Sequence, residues 1–263
     1  LADTRRICEA QIQFWHGRRK PDFAHYVFML NAVEDGYGGL EHRQSTALIC
    51  SRKDLPRQGR AAPTDAYTTL LGLISHEYFH TWNVKRLKPR EFAPYDLRGE
   101  NYTELLWFFE GFTSYYDELM LCRAGLVDAP RYLRLLAASV NGVLAAPGRR
   151  VQPLAQASFE AWTKYYRPDE NSGNSAVSYY LKGELVALCL DLELTRRAIT
   201  PLTKAVMLVT ANGRAPSVGI EAFRELCASR GLALIEDVAQ SLGHMLKDDS
   251  VALSGYRPAH APR

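Results

Sequence analysis

Cysteine is scarce in this sequence, and none of it is spaced for pairing. The five cysteines, Cys8, Cys50, Cys122, Cys189 and Cys227, are odd in number and never stand in a C-x-x-C pair. That excludes a disulfide framework and a thiolate metal site; the thiols are expected to be reduced and mostly buried. Long apolar runs are missing too, and residues 1–6 have neither the apolar core nor the cleavage site of a signal peptide. A membrane partner is therefore not expected, and the cytoplasm is the expected compartment. The chain lacks an initiator methionine, as a fragment or a mature segment would. It also lacks a basic tract: the net charge of +3 comes from scattered Lys and Arg, so the electrostatic footprint of a nucleic-acid binder is absent. The oligomeric state carries no signature.

With 47% hydrophobic and 23% charged residues in 263, the chain can bury a substantial core. Residues 1–16 read as a helix, and 23–33 and 41–51 as strands punctuated by Gly36, Gly38 and Gly39. From Asp65 to about residue 87 the pattern is helical, started by Thr64-Asp65, with Leu71, Ile74 and Tyr78 on one stripe that should face the core. A second helix is predicted from Asn101, where Glu104 completes a capping box, through Trp107, Phe112 and Tyr116. Residues 132–144, 160–164 and 177–195 are further helical candidates, and 167–175 is a loop by composition. Beyond about residue 198 the character changes to strand (204–210), amphipathic helix (220–230) and strand (232–238), a βαβ pattern.

The strongest chemical signal is His76-Glu77-Tyr78-Phe79-His80. Four residues on a helix is just over one turn, so both imidazoles share a face and can meet one metal ion. Glu77 lies about a quarter-turn away, near enough to act on water as general base without being a ligand. The apolar opposite face of the helix turns the pair inward or into a cleft. A zinc hydrolase needs a third protein ligand and an open fourth position. Glu110 is the candidate, because it sits within Trp107-Phe108-Phe109-Glu110-Gly111-Phe112, where an unpaired carboxylate is costly to bury. Glu100 and Glu104 compete by proximity, but Glu100 stands at the helix entrance and Glu104 has a capping explanation. Lys85, Arg86, Lys88 and Arg90 read as a solvated face.

His76–His80 with Thr81-Trp82-Asn83-Val84-Lys85-Arg86, then Glu100-Asn101-Tyr102-Thr103-Glu104-Leu105-Leu106-Trp107 and Glu110-Gly111-Phe112-Thr113-Ser114-Tyr115-Tyr116, resembles the glycyl aminopeptidase family of zinc metallopeptidases, over about residues 5–197. The resemblance implies an α+β, mainly α fold: a thermolysin-like peptidase domain with a small edge β-sheet and a helical bundle. It implies one zinc ion on His76, His80 and Glu110, peptide substrates, and release of small N-terminal residues such as Gly or Ala. Gly38-Gly39-Leu40-Glu41-His42 resembles the Gly-Ala-Met-Glu-Asn motif of the alanyl aminopeptidase group, with His42 for Asn. That likeness implies an edge strand pairing with substrate backbone and Glu41 holding the α-amino group. Tyr180-Leu181-Lys182-Gly183 resembles a Tyr-Glu-Lys-Gly motif and implies Tyr180 as donor to the oxyanion, with Tyr179 the neighbouring alternative. Alternative readings are a zinc-binding but inactive fragment and a non-peptidase hydrolase on the same scaffold.

The expected organisation is a catalytic domain at 1–197, an appended βαβ segment at 198–250 and a disordered tail at 251–263. Residues 198–247 resemble a piece of the pyridoxal-phosphate-dependent sugar aminotransferases. About fifty residues are too few to enclose that cofactor, and no Schiff-base lysine context accompanies them, so a fused piece is expected rather than a second activity.

Overall fold

The computed structural model describes residues 1–56, 64–198, 205–209 and 220–237. Predictions for 199–204, 210–219 and 238–263, including the expected disordered tail, lie outside the described residues. The fold is α+β and mainly helical, as expected. In order it comprises α1 (Ala2–His16), β1 (Val27–Val33), β2 (Gly38–Glu41), β3 (Ser45–Ser51), α2 (Asp65–Phe79), α3 (Leu106–Arg123), α4 (Ala129–Ala145), α5 (Leu154–Phe159), α6 (Ser172–Ser175), α7 (Tyr179–Ala198), β4 (Ala205–Val209), α8 (Ile220–Ser229) and β5 (Ala233–Asp237). None of the described helices is long and apolar enough to cross a membrane.

The chain divides into two compact units, one of residues 1–127 and 131–191, the other of 128–130 and 192–263. In the first unit, β3 is the central strand of a three-stranded sheet, parallel to β1 and antiparallel to β2. The strand predicted at 41–51 is two strands: the chain turns back at His42-Arg43-Gln44, and Gly38–Glu41 pairs with Thr46–Ile49 as an edge strand. The inner face of the sheet buries Thr46, Leu48 and Cys50 of β3, while Met29, Leu40 and Ile49 of the outer face are exposed, the alternation a strand imposes.

Helix α2 starts where the sequence indicates, with the Thr64 hydroxyl accepting from the Tyr67 amide. Its stripe, Leu71, Ile74 and Tyr78, is buried: Leu71 and Ile74 pack with Ile7, Leu119 and Leu121 in the main core, and Tyr78 packs against Tyr26, Phe28 and Trp82. The helix ends at Phe79, not near residue 87. The Asn83 amide is drawn to Phe109 O and Thr113 Oγ1, and Val84 takes φ 142°, so side-chain bonding and backbone geometry both compete with further helix. Helix α3 likewise begins at Leu106 rather than Asn101. The Asn101 side chain closes a loop instead, accepting from Asp96 N and donating to Asp96 O and Gly99 O, so it caps nothing. A buried polar relay ties α1, α2 and α3: Gln11 Nε2 donates to Ser75 O, and Ser75 Oγ donates to Asp117 O.

The second unit holds the described parts of the βαβ segment, with β4 and β5 paired in parallel as a βαβ crossover requires. All five cysteines are free; Cys50 and Cys227 are buried, whereas Cys189 is exposed, contrary to the expectation for most of them.

Candidate metal centre

Helix α2 presents His76 and His80 one turn apart, and α3 packs across it with Glu110. Their ligand-capable atoms converge: His76 Nε2 lies 3.1 Å from Glu110 Oε2, His80 Nε2 3.2 Å from the same oxygen, and the two Nε2 atoms are 3.1 Å apart. The other ring nitrogens are already engaged. His76 Nδ1 donates to Asp117 Oδ2 at 2.9 Å and His80 Nδ1 to Asn83 O at 2.8 Å. Because a carbonyl and a carboxylate only accept, those bonds place the proton on Nδ1 and leave both Nε2 lone pairs turned toward Glu110. Three such atoms form a triangle with sides of 3.1–3.2 Å. Ligands at about 2.1 Å from a tetrahedral ion stand about 3.4 Å apart, so the N2O donor set fits a zinc-sized ion with little adjustment.

The electrostatics agree with the geometry. Burial works to lower the pKa of His76, but the Asp117 and Glu110 carboxylates outweigh it and hold that pKa well above 6.5. Burial works to raise Glu110, yet His80 and His76 hold it far below the usual carboxylate range. The raised proton affinity of the imidazoles reflects the negative field of Glu110 and Asp117, a field that favours a metal cation in place of those protons on the Nε2 lone pairs.

Glu77 is 5% exposed, and its Oε2 is buried without a hydrogen-bond partner. Burial pushes its pKa up to about 7, moderated by the two histidines. Gly39 of β2 sits directly against the Glu77 carboxyl group: a Cβ there would overlap Oε1, so any side chain at this position would have to displace that carboxyl group. Two residues on, Glu41 lies on the same face of β2 as Gly39. Glu41 Oε1 pairs with Lys85 Nζ at 3.0 Å.

The Lys85–Glu41 pair corrects the reading of Lys85 as part of a solvated face, while Arg86 and Arg90 are exposed as that reading expects. Lys85 is 17% exposed and bonded into the cleft, and Arg86 is held by Asp22 and Thr81 O. Neither Glu100 nor Glu104 approaches the cluster; both lie outside the converging set.

Tyr180 lies in the first turn of α7, its ring 6.2 Å from that of His76 and its hydroxyl 3.1 Å from the Tyr166 hydroxyl. Tyr179 is 1% exposed within a second apolar cluster with Ala157, Ala161 and Val177, against which Tyr180 also packs, and the Tyr179 hydroxyl donates to that of Tyr166. Close packing of α7 on α3 sets this arrangement. Gly183 and Gly111 lie backbone to backbone, and a Cβ on Gly183 would overlap Trp107 O. Sequence reasoning did not single out Asp117 or Asn83. Asp117 was findable, since seven residues from Glu110 is two turns on the same face of α3; the role of Asn83 depends on a turn no periodicity announces. An open cavity of about 620 Å³ lined by Phe92, Tyr95, Arg98, Asn101 and Trp162 contains none of these site residues.

The fold and the converging groups thus define an α+β chain with a candidate metal centre on two facing helices. Residues 69–186 match the family of M61 glycyl aminopeptidases, which takes in every site residue named above except those of the edge strand. Among solved structures, the chain is similar to an aminopeptidase N family protein from Idiomarina loihiensis: 44% identity, TM-score 0.72, with 88% of this chain and 37% of that chain covered. The chain therefore spans well under half the length of that relative. The resemblance to the glycyl aminopeptidases read from the sequence holds in the family match, and the similar solved structure is of an aminopeptidase N family protein. A second match, to the DegT/DnrJ/EryC1/StrS aminotransferase family, covers residues 174–256 and overlaps the first at 174–186. No curated protein matches the chain.

Proposed function

We propose that this chain is a zinc-dependent aminopeptidase on a thermolysin-like frame, removing small N-terminal residues such as Gly or Ala from peptides. The observation that carries the reading is the convergence of His76 Nε2, His80 Nε2 and Glu110 Oε2 with their outer nitrogens fixed by Asp117 and Asn83. The family match at 69–186 supports the peptidase class.

In this reading His76, His80 and Glu110 hold one zinc ion, with Asp117 orienting His76 and Asn83 orienting His80. Bound there, zinc supplies Lewis acidity, polarising a scissile carbonyl and making water nucleophilic near neutral pH. Glu77 receives the proton of the attacking water and delivers it to the leaving amine; its buried, unpartnered oxygen and raised pKa suit a group that must both take and give a proton. The Tyr180 hydroxyl donates to the developing oxyanion, and its ring lies against His76 whereas Tyr179 is committed to packing. Gly38, Gly39 and Leu40 form the unpaired edge on which the substrate backbone aligns, and Glu41 receives the α-amino group.

The test is hydrolysis of alanyl p-nitroanilide beside its N-acetylated counterpart, with and without a chelator. Chelator-sensitive cleavage of the free amine alone is expected. Equal cleavage of both would make the chain an endopeptidase-like hydrolase, and cleavage indifferent to chelator would remove the metal from the mechanism.

A further inference from the structure

The carboxylate that the proposed function assigns to the substrate's amine is not vacant. Glu41 Oε1 stands 3.0 Å from Lys85 Nζ, and both side chains are largely shielded, 20% and 17% exposed. A partly shielded pair of this kind is screened less than a surface one, and removing either partner leaves the other charge uncompensated; as a neutral unit it offers little attraction to a second cation.

The turn that delivers Lys85 is itself strained and over-determined. Val84 is buried with φ 142°, a conformation β-branched residues rarely adopt and one kept only when neighbouring contacts enforce it. Those contacts are the Lys85 backbone amide donating to His80 O, Asn83 O accepting from His80 Nδ1, and Asn83 Nδ2 donating to Phe109 O and Thr113 Oγ1. The segment that sets the tautomer of His80 therefore also fixes where the Lys85 ammonium stands.

We infer that Lys85 is a specificity-determining residue: its ammonium stands in for the substrate's α-ammonium on Glu41, so an amino terminus binds only by exchange with it. The inference rests on the amine-binding assignment of Glu41 above. Exchange favours substrates whose ammonium fits the Glu41 position better than a tethered lysine does, and it keeps Glu41 paired when the cleft is empty, beside the carboxylates of Glu77 and Glu110. Without Lys85, the substrate's ammonium becomes the sole counter-ion, and free-amine substrates bind more tightly.

The experiment compares KM and kcat for alanyl p-nitroanilide, and inhibition by n-butylamine, among wild type, Lys85→Met, Lys85→Arg, Glu41→Gln and the double variant Glu41→Gln/Lys85→Met, each with its zinc content measured. Lys85→Met is expected to lower KM and the amine's inhibition constant about tenfold with little change in kcat, a loss of competition in ground-state binding. Lys85→Arg should restore wild-type values, and in the Glu41→Gln background the Lys85→Met effect should vanish. Should Lys85→Met fold poorly, Lys85→Gln serves in its place and the butylamine constant decides. An unchanged or raised KM on removing the ammonium, with Glu41→Gln still raising KM, overturns the role of Lys85 and leaves the Glu41 assignment standing. Indifference of both KM and butylamine inhibition to Glu41→Gln overturns the amine site itself.

Discussion

A single oxygen illustrates the residue scale. Glu77 Oε2 is buried and unpartnered, which costs free energy unless something polar arrives to use it. Glu77→Gln preserves size and packing but cannot take a proton, so zinc content should stay at wild-type level while turnover falls by about 10³-fold or more; retained turnover would show that another group handles the proton. Asp117 tests the support of the site: Asp117→Asn keeps the hydrogen bond to His76 Nδ1 without its charge, and Asp117→Ala removes both. Zinc affinity should fall about 10–100-fold for the alanine variant and less for the asparagine one, measured against a chelator series. Gly39→Ala would press a methyl group into the Glu77 carboxyl group, displacing the proposed base; turnover should drop about 10²-fold with zinc still bound. The metal-binding trio was legible from the sequence because helix periodicity determines which side chains meet, and Glu110 because a carboxylate among aromatic residues needs a partner. The Lys85–Glu41 pair was not, because it depends on a tight turn at Val84 and on a hairpin whose turn contains no glycine.

Among the elements, the contact between α3 and α7 governs how the site is assembled. Gly111 against Gly183 lets the two backbones nearly touch, which brings Tyr180 over His76. Gly183→Ala should push the helices apart, destabilising the protein by about 1–3 kcal/mol and lowering turnover through Tyr180; unchanged stability would show that the helices can slide. The same pair of helices buries acids that no site role explains. Burial pushes the Glu118 carboxyl up to about 9, with Asp117 and Glu184 adding repulsion, and burial pushes Glu184 up to about 7, with a hydrogen bond from Ser139 opposing and Asp117 adding. A carboxyl whose folded pKa exceeds its unfolded value near 4.5 favours folding in its protonated form. That contribution is complete below about pH 4.5 and is lost as pH rises toward 7 for Glu184, so stability should decline across that window. Glu184→Gln should flatten this decline by up to about 3 kcal/mol relative to wild type, read from denaturant midpoints between pH 4.5 and 7; parallel pH profiles would contradict it. Element positions were readable wherever periodicity ran uninterrupted, as in α1, α2 and α4. Boundaries failed where side chains took over backbone hydrogen bonds, at Asn83 after α2 and at Asn101 before α3.

On the scale of the whole molecule, the chain is two compact units, and the site residues all lie in the first. We propose that residues 1–197 alone carry zinc binding and turnover and that the βαβ segment adds no second activity. Truncation after residue 197 should leave kcat/KM within about twofold, and the full chain should take up no stoichiometric pyridoxal phosphate; loss of turnover on truncation, or a saturable cofactor spectrum, would contradict that division. The most direct measurement is a zinc titration of the metal-free protein with alanyl p-nitroanilide turnover read at each step, run in parallel on wild type and Glu77→Gln. Wild-type turnover should rise in proportion to zinc and saturate at one ion per chain, with the variant binding the same single ion in silence. Turnover before any zinc is added, or zinc binding that survives the loss of both His76 and His80, would contradict that.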